Sequence, residues 1–229
     1  MILSDYTIVD ENGHLQHIHR YDNYTNPFSI GQLTWQDRED WFIHGLTYRT
    51  ALLHEMDYRQ TEGISYTDEE WITKPLALVN ACYRFNGTLY RYTVGREGQS
   101  MSPAVYAKSL GMRLAVAKSV LSFYSSLDKG TPVSAFVKGR LTSLLNHIYH
   151  TTLFSKKTNK EALEALRSFD GQLASDEAEI HAALDRTVTI AGLHFRPVRV
   201  FREEKSCRLS VIRGLYATTN ALNNLRQTQ

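Results

Sequence analysis

Residues 63–101 read GISYTDEEWITKPLALVNACYRFNGTLYRYTVGREGQSM, and this stretch governs how the rest of the chain is read. An acidic triplet, Asp68-Glu69-Glu70, follows Thr67 and precedes Trp71, Ile72, Leu76 and Val79. Thr67 with Glu70 three residues on matches a capping box, in which the threonine caps a helix and the glutamate reaches back to its backbone. The apolar residues then supply one helical face. Pro75 lies inside this pattern, where a kink is expected. Tyr83 to Phe85 and Leu89 to Val94 read as strands joined at Asn86-Gly87. Acids, aromatics and one loop arginine, Arg96 between Gly95 and Glu97-Gly98, suit a site for a polar, anionic ligand.

Upstream, Met1 to Val9 reads as a strand, Asp10-Glu11-Asn12-Gly13 as a turn, and His14 to Arg20 as a returning strand. A free-standing hairpin is rarely stable, so this one is expected to pair with something, and a preceding part of the chain is expected to be missing. Residues 21–41 are polar and aromatic with little periodicity. Phe42 to Tyr48 reads as a strand and Thr50 to Met56 as a short helix. After Pro103 the pattern turns helical. Ala104 to Leu127 is a long helix with Met112, Val116, Val120 and Phe123 on its apolar face, and Val133 to Leu153 is another. Glu161 to Phe169 and Asp176 to Leu184 are shorter helices, with polar breaks at 155–160 and at Asp170-Gly171. TVTIAGLHFRPVRVF, residues 187–201, is strand-like and leads into a basic tail. No internal repeat or low-complexity tract interrupts the chain.

At 229 residues the chain fits one large domain or two small ones. Its 42% hydrophobic and 22% charged content are ordinary for a globular protein. A net charge of +2 gives no argument for nucleic acid as a partner. Two distant cysteines, Cys82 and Cys207, suit a reducing compartment rather than a disulfide framework. No signal peptide is visible in residues 1–20, and no run approaches the roughly 18 apolar residues of a membrane span. A cytoplasmic location is the expectation, with peripheral membrane contact left open.

With those residues in view, positions 1–101 resemble the second half of family 2 glycosyltransferases. SDYTIVDENG, residues 4–13, resembles a strand and turn of that family. Thr67-Asp68-Glu69-Glu70-Trp71 resembles its acidic motif opening a helix, and LYRYTVGREGQS, residues 89–100, resembles the aromatic strand and loop that follow. The resemblance implies an α/β fold: a partial GT-A-like sheet, with an acceptor-side half over residues 1–102 and a mostly helical C-terminal region over 103–229. Two departures stand out. The nucleotide-binding first half and its DxD-type motif are absent, and the family's usual Glu-Asp pair reads Thr67-Asp68.

The implied activity is transfer of a sugar from a nucleotide-sugar donor to a saccharide or lipid-linked acceptor in surface-glycan biosynthesis, with inversion. A divalent metal, Mg or Mn, is implied for the complete enzyme, its ligands mostly in the missing half. By resemblance Asp68 is the catalytic base, with Glu69 or Glu70 binding acceptor hydroxyls. Arg96 would clamp phosphate, because a guanidinium pairs well with phosphate oxygens, and Gln99 and Ser100 would add polar contacts. His44, Tyr48 and Arg49 stand where the family places acceptor contacts, and Trp71 and Tyr90 would stack on a sugar face. Each residue also has a structural reading. First-turn acids offset the helix dipole by up to ~1 kcal/mol, a loop arginine pairs with its neighbour, and aromatics pack in cores.

Two further features have weaker claims. His14, His17 and His19 form an H-x-x-H-x-H string in which His17 and His19 share a strand face that two metal ligands need; an exposed polar face is the simpler reading. Arg196 to Arg213 holds five arginines and one lysine, suited to anionic lipid or a lipid-linked diphosphate, or to a solvated rim. Truncation would leave the isolated chain a poor catalyst. The alternative reading is a non-catalytic acceptor-binding or scaffold module that pairs with another chain. It predicts an exposed apolar face and self-association through it.

Overall fold

A computed structural model describes residues 1–32, 41–96, 105, 108–155, 158–203 and 206–227. The chain is a mixed α/β protein that divides into two compact units, Met1–Leu141 and Thr142–Gln229. The division falls inside a helix, whereas the sequence reading places its boundary after residue 102.

In the first unit, β1 (Ile2–Val9) is the centre of the sheet. It pairs antiparallel with β2 (Leu15–His19) through the expected turn, where Gly13 takes a φ of 86°. Asp10 fixes that turn by accepting from the backbone N–H of Asn12 and His14, at 2.9 and 2.8 Å. β1 also pairs antiparallel with β3 (Leu46–Thr47) and parallel with β4 (Tyr83–Thr93). Thus the hairpin does find its partners, within the unit itself.

β4 corrects one expectation. Tyr83–Phe85 and Leu89–Val94 are not two strands meeting at a turn, because both segments run parallel to the same strand. Ser4 faces Phe85 and Asp5 faces Thr88, so Asn86 and Gly87 are the extra residues of a bulge. A Cβ on Gly87 would lie 2.7 Å from the exposed Phe85 ring, which would have to swing aside.

Phe42 to Tyr48 is likewise not a full strand. Residues Ile43–Gly45 form a 3₁₀ turn and only Leu46–Thr47 pair. Gly45 is pressed against β1: a Cβ there would lie 2.9 Å from the Ser4 carbonyl and 2.8 Å from the Tyr21 ring. α1 (Thr50–Glu55) and α2 (Asp68–Thr73) follow, and a 3₁₀ segment, Lys74–Leu78, carries Pro75 in its first turn. The proline therefore ends α2 rather than bending it.

α3 (Leu110–Ser126) and α4 (Pro132–Phe154) complete this part of the chain. Val116 and Val120 are buried as expected, but Met112 is exposed. The inward face of α3 also includes Leu114, Ala117, Leu121 and Tyr124, a stripe at helical spacing. Trp41 is fully buried, 5.5 Å from the Phe136 ring centroid, and its indole N–H donates to Tyr24 at 2.7 Å.

The second unit is mostly helical. α5 (Lys160–Asp176) starts at Asn159, whose side chain accepts from the Ala162 N–H at 2.9 Å. α5 runs through Asp170-Gly171, which is therefore no break. Asp170 is buried and satisfied by Tyr149 at 2.6 Å, by both nitrogens of an Arg202 fork at 2.8–3.1 Å, and by His181 at 3.2 Å. α6 (Ala178–Ala183) follows. β5 (Val188–Ile190) and β6 (Leu193–Phe195) form a hairpin across Ala191-Gly192, both at positive φ. RPVRVF is not strand: Pro197 opens α7 (Pro197–Arg202), a position that tolerates its missing N–H. The basic tail begins α8 (Ser206–Gln227).

Among the described residues no helix is long and apolar enough to cross a membrane. Several of the tail arginines have internal partners. Arg196 holds Asp185 at 2.6 Å, Arg199 holds Glu203 at 3.2 Å, Arg202 holds Asp170, and Arg213 donates to the Leu153 carbonyl at 2.6 Å.

Candidate functional site

The acidic triplet opens α2, and its three carboxylates have three different environments. Glu70 is fully buried. It accepts from the Thr61 backbone N–H at 2.7 Å, the Thr61 hydroxyl at 2.9 Å, Lys74 at 2.9 Å and the Ser119 hydroxyl. Burial pushes its pKa up, but these donors outweigh burial and hold it below the usual carboxylate range. Glu69 meets Arg140 in a two-point pair at 2.7 and 3.1 Å. Arg140 is anchored further by the Trp41 carbonyl at 3.3 Å.

The expected capping box does not form. The Thr67 side chain makes no cap hydrogen bond and instead accepts from the Gln60 amide at 2.6 Å, while Glu70 turns inward to Thr61, Lys74 and Ser119.

Asp68 differs from both neighbours. It is exposed, and among the described residues no hydrogen bond or ion pair holds its carboxylate. Two positions earlier Tyr66 takes a φ of 72°, rare for a bulky side chain and a form of strain found at functional sites. The carboxylate acts on His44, the middle residue of the turn that precedes β3. Burial lowers the His44 pKa, and the Asp68 charge partly raises it again.

His44 belongs to an aromatic platform. Its ring stacks on Tyr92 at 4.1 Å and 25° and on Tyr90 at 4.9 Å and 20°. Tyr90 and Tyr92 project from one face of β4 because they are two residues apart on a strand. Opposite Tyr90 in register is Tyr6, whose ring lies 5.2 Å from His44 and stacks on His19 at 4.9 Å. Tyr90 is 48% exposed and Phe42 is 43% exposed, so part of the platform faces solvent. Such faces bind the C–H side of a ring by dispersion while polar groups at the edge take its hydroxyls.

The remaining expected residues are distributed differently. Trp71 packs edge-on against Tyr48 at 5.1 Å and Tyr58 at 5.7 Å. Tyr48 is buried, which pushes its hydroxyl pKa well up. Tyr48 is thus a core aromatic, and Trp71 is half-buried against it. Tyr48 and Arg49 line a cleft of about 590 Å³ beside β3, together with Glu55, Asn80 and Tyr83. Asp68, His44 and Arg96 are not among its lining residues. Arg96 is exposed just beyond the end of β4, past Gly95 at a φ of 91°. Gln99 and Ser100 lie outside the described residues.

The histidine string does not build a metal site. His14 pairs with Asp10 at 3.1 Å, and His19 stacks in the platform. Among the described residues there is no group of three or more His, Cys, Asp or Glu side chains that could hold a metal ion. The resemblance places the ligands of the implied Mg or Mn mostly outside this chain. Cys82 is buried as a free thiol, its pKa pushed up to about 11 by burial.

The sequence reading missed the platform itself. The Tyr90-x-Tyr92 alternation was its one local signal; the His44 and Tyr6 contributions depend on which strands become neighbours. Comparison with protein-family models, with curated proteins and with solved structures finds no match to this chain.

Proposed function

We propose that this chain is the acceptor-side part of an inverting, GT-A-type glycosyltransferase of family 2, with Asp68 as the base. One observation carries the reading: of three adjacent acids, two are consumed by internal partners, and only Asp68 is exposed and, among the described residues, unpaired, its charge felt by His44 of a half-exposed aromatic platform. A base must reach an acceptor hydroxyl, and a carboxylate already held by an arginine or buried among donors is poorly placed to do so.

In the proposed reaction the acceptor sugar lies against Tyr90 and Phe42, at the platform whose His44 feels the Asp68 charge. The Asp68 carboxylate takes the proton of the acceptor hydroxyl as its oxygen attacks the anomeric carbon. The new C–O bond forms as the bond to the diphosphate breaks, and the nucleoside diphosphate leaves with the electron pair. Attack from the face opposite the leaving group inverts the centre, and the oxocarbenium character of the transition state is shared with glycoside hydrolysis. Arg96 is assigned to the donor phosphates. The donor's nucleotide, its sugar, a divalent metal and a lipid-linked or saccharide acceptor belong to the same proposal.

A saccharide titration followed by NMR tests the platform directly. Ring resonances of His44 and Tyr90 should shift with an oligosaccharide acceptor, and Tyr90→Ala should remove the response. No ring shift across a panel of oligosaccharides would remove the platform as an acceptor site. In the longest open frame that contains this chain, Arg96→Ala should weaken donor affinity; unchanged affinity would return it to a solvated loop.

The alternative reading, a non-catalytic module that pairs with another chain, draws on β4. Tyr83, Phe85 and Leu89 are exposed along that strand at 52, 47 and 60%. Concentration-dependent association lost on Phe85→Lys or Leu89→Lys would favour it.

A further inference from the structure

The second unit contains a groove that sugar transfer does not use. It has a volume of about 350 Å³ and is walled by Tyr149, Leu153, Phe154, Leu184 and Val198, all buried. Its exposed polar lining includes His147, His150 and Arg186, and no carboxylate is among its lining residues. Small-molecule sites have this composition, an apolar body with a few polar groups that fix one end of the ligand.

The charge around the groove is one-sided. Two carboxylates lie close to its lining residues, and each is already neutralised. Asp170, which accepts from the Tyr149 hydroxyl, is held by the Arg202 fork. Asp185, next in sequence to Arg186, is held by Arg196 at 2.6 and 3.1 Å. Arg186 donates its Nε–H to the Ala183 carbonyl at 3.3 Å, and among the described residues no carboxylate pairs with it. Its two terminal nitrogens keep donors in the fork geometry that matches phosphate. His150 lies tilted against Phe154, ring centroids 4.6 Å apart, and partial burial lowers its pKa, so it adds an aromatic wall rather than charge at neutral pH.

We infer that this groove binds a single-chain amphiphile, an alkyl or isoprenoid chain with an anionic phosphate head, the chain on the Leu153–Phe154–Val198 walls and the head on Arg186. This binding requires nothing of Asp68 or of sugar transfer. An apolar chain without the head would leave Arg186 unused, and a phosphate without the chain would leave the volume between the apolar walls unfilled.

Isothermal titration of the chain with monomeric dodecyl phosphate tests this, with inorganic phosphate, dodecyltrimethylammonium and phosphatidylglycerol vesicles as comparisons. Dodecyl phosphate should bind saturably at one site, the other soluble probes far more weakly. Arg186→Ala should weaken binding by about tenfold, Arg186→Glu by more, and Val198→Trp should fill the groove and abolish it. Arg186 is exposed, so its variants keep the test informative if Val198→Trp misfolds. Equal binding of the two dodecyl head groups, equal binding of phosphate alone, unchanged binding by Arg186→Glu, or binding to the vesicles without binding of the monomer would each overturn the inference.

Discussion

Glu69 and Arg140, 71 positions apart, meet in a two-point ion pair in which Nη2 lies 2.7 Å from Oε1 and Nε lies 3.1 Å from Oε2. Arg140 is largely buried and Glu69 about one-fifth exposed at the side chain. The pair ties the first turn of α2 to α4. Glu69→Ala should therefore destabilise the first unit by about 1–3 kcal/mol, as loss of a charge-assisted hydrogen-bonded partner does. Urea unfolding measures it. Arg140→Ala should cost a similar amount, and the double variant should cost less than the sum. Strict additivity would mean the two side chains do not interact in solution.

Glu70 predicts a pH dependence. Its folded pKa lies below the unfolded value because Ser119, Thr61 and Lys74 outweigh burial. A depressed carboxylate contributes stability that is fully present above the unfolded pKa, about 4.3, and is lost as pH falls through the folded value. Glu70→Gln should be less stable than wild type at pH 7 by about 3 kcal/mol, the cost of breaking a buried pair. The gap should narrow as pH falls below about 4.3. Thermal midpoints of both proteins from pH 7 to pH 3 measure it, and a gap that stays constant across that range would contradict the role given to these donors.

The triplet also shows where local reading stops. Thr67-x-x-Glu70 has the letters of a capping box, but Gln60 takes the threonine and Ser119, 49 positions away, takes the glutamate. The β1–β2 hairpin was legible because its turn and both strands are local. Asn86-Gly87 was misread for the opposite reason. The dipeptide signals a turn, and only the shared partner β1 shows that the chain runs straight on through a bulge. Asp170-Gly171 looked like a break because Arg202, which satisfies the aspartate, lies 32 residues further on. In the candidate site, the acids and Tyr90 stood out by type, whereas the difference among the acids depends on Arg140 and Ser119, 71 and 49 positions away, as well as on the nearer Thr61 and Lys74.

Asp68→Asn isolates the chemistry from the fold. With no hydrogen bond or ion pair on its carboxylate among the described residues, the change should alter stability by no more than about 1 kcal/mol, the reach of a first-turn acid on the helix dipole. In a transfer-competent form of the protein it should abolish sugar transfer and leave sugar-nucleotide binding nearly intact. Unimpaired turnover would remove Asp68 as the base. A large loss of stability would show that Asp68 has a structural partner after all.

The same variant should be visible at His44 without any turnover. Burial against Tyr90 and Tyr92 lowers the imidazole pKa, and the Asp68 charge opposes that by favouring the imidazolium. Removing the charge in Asp68→Asn leaves burial unopposed, so the His44 pKa should fall further. Its Cε1–H proton shift, followed by NMR from pH 8 to pH 4, reports this. Tyr90→Ala should act in the opposite direction, because a more hydrated ring loses part of the desolvation that depresses it. A His44 titration unmoved by Asp68→Asn would mean that the carboxylate and the platform are not electrostatically coupled, and the proposal that one sugar contacts both would lose its structural basis.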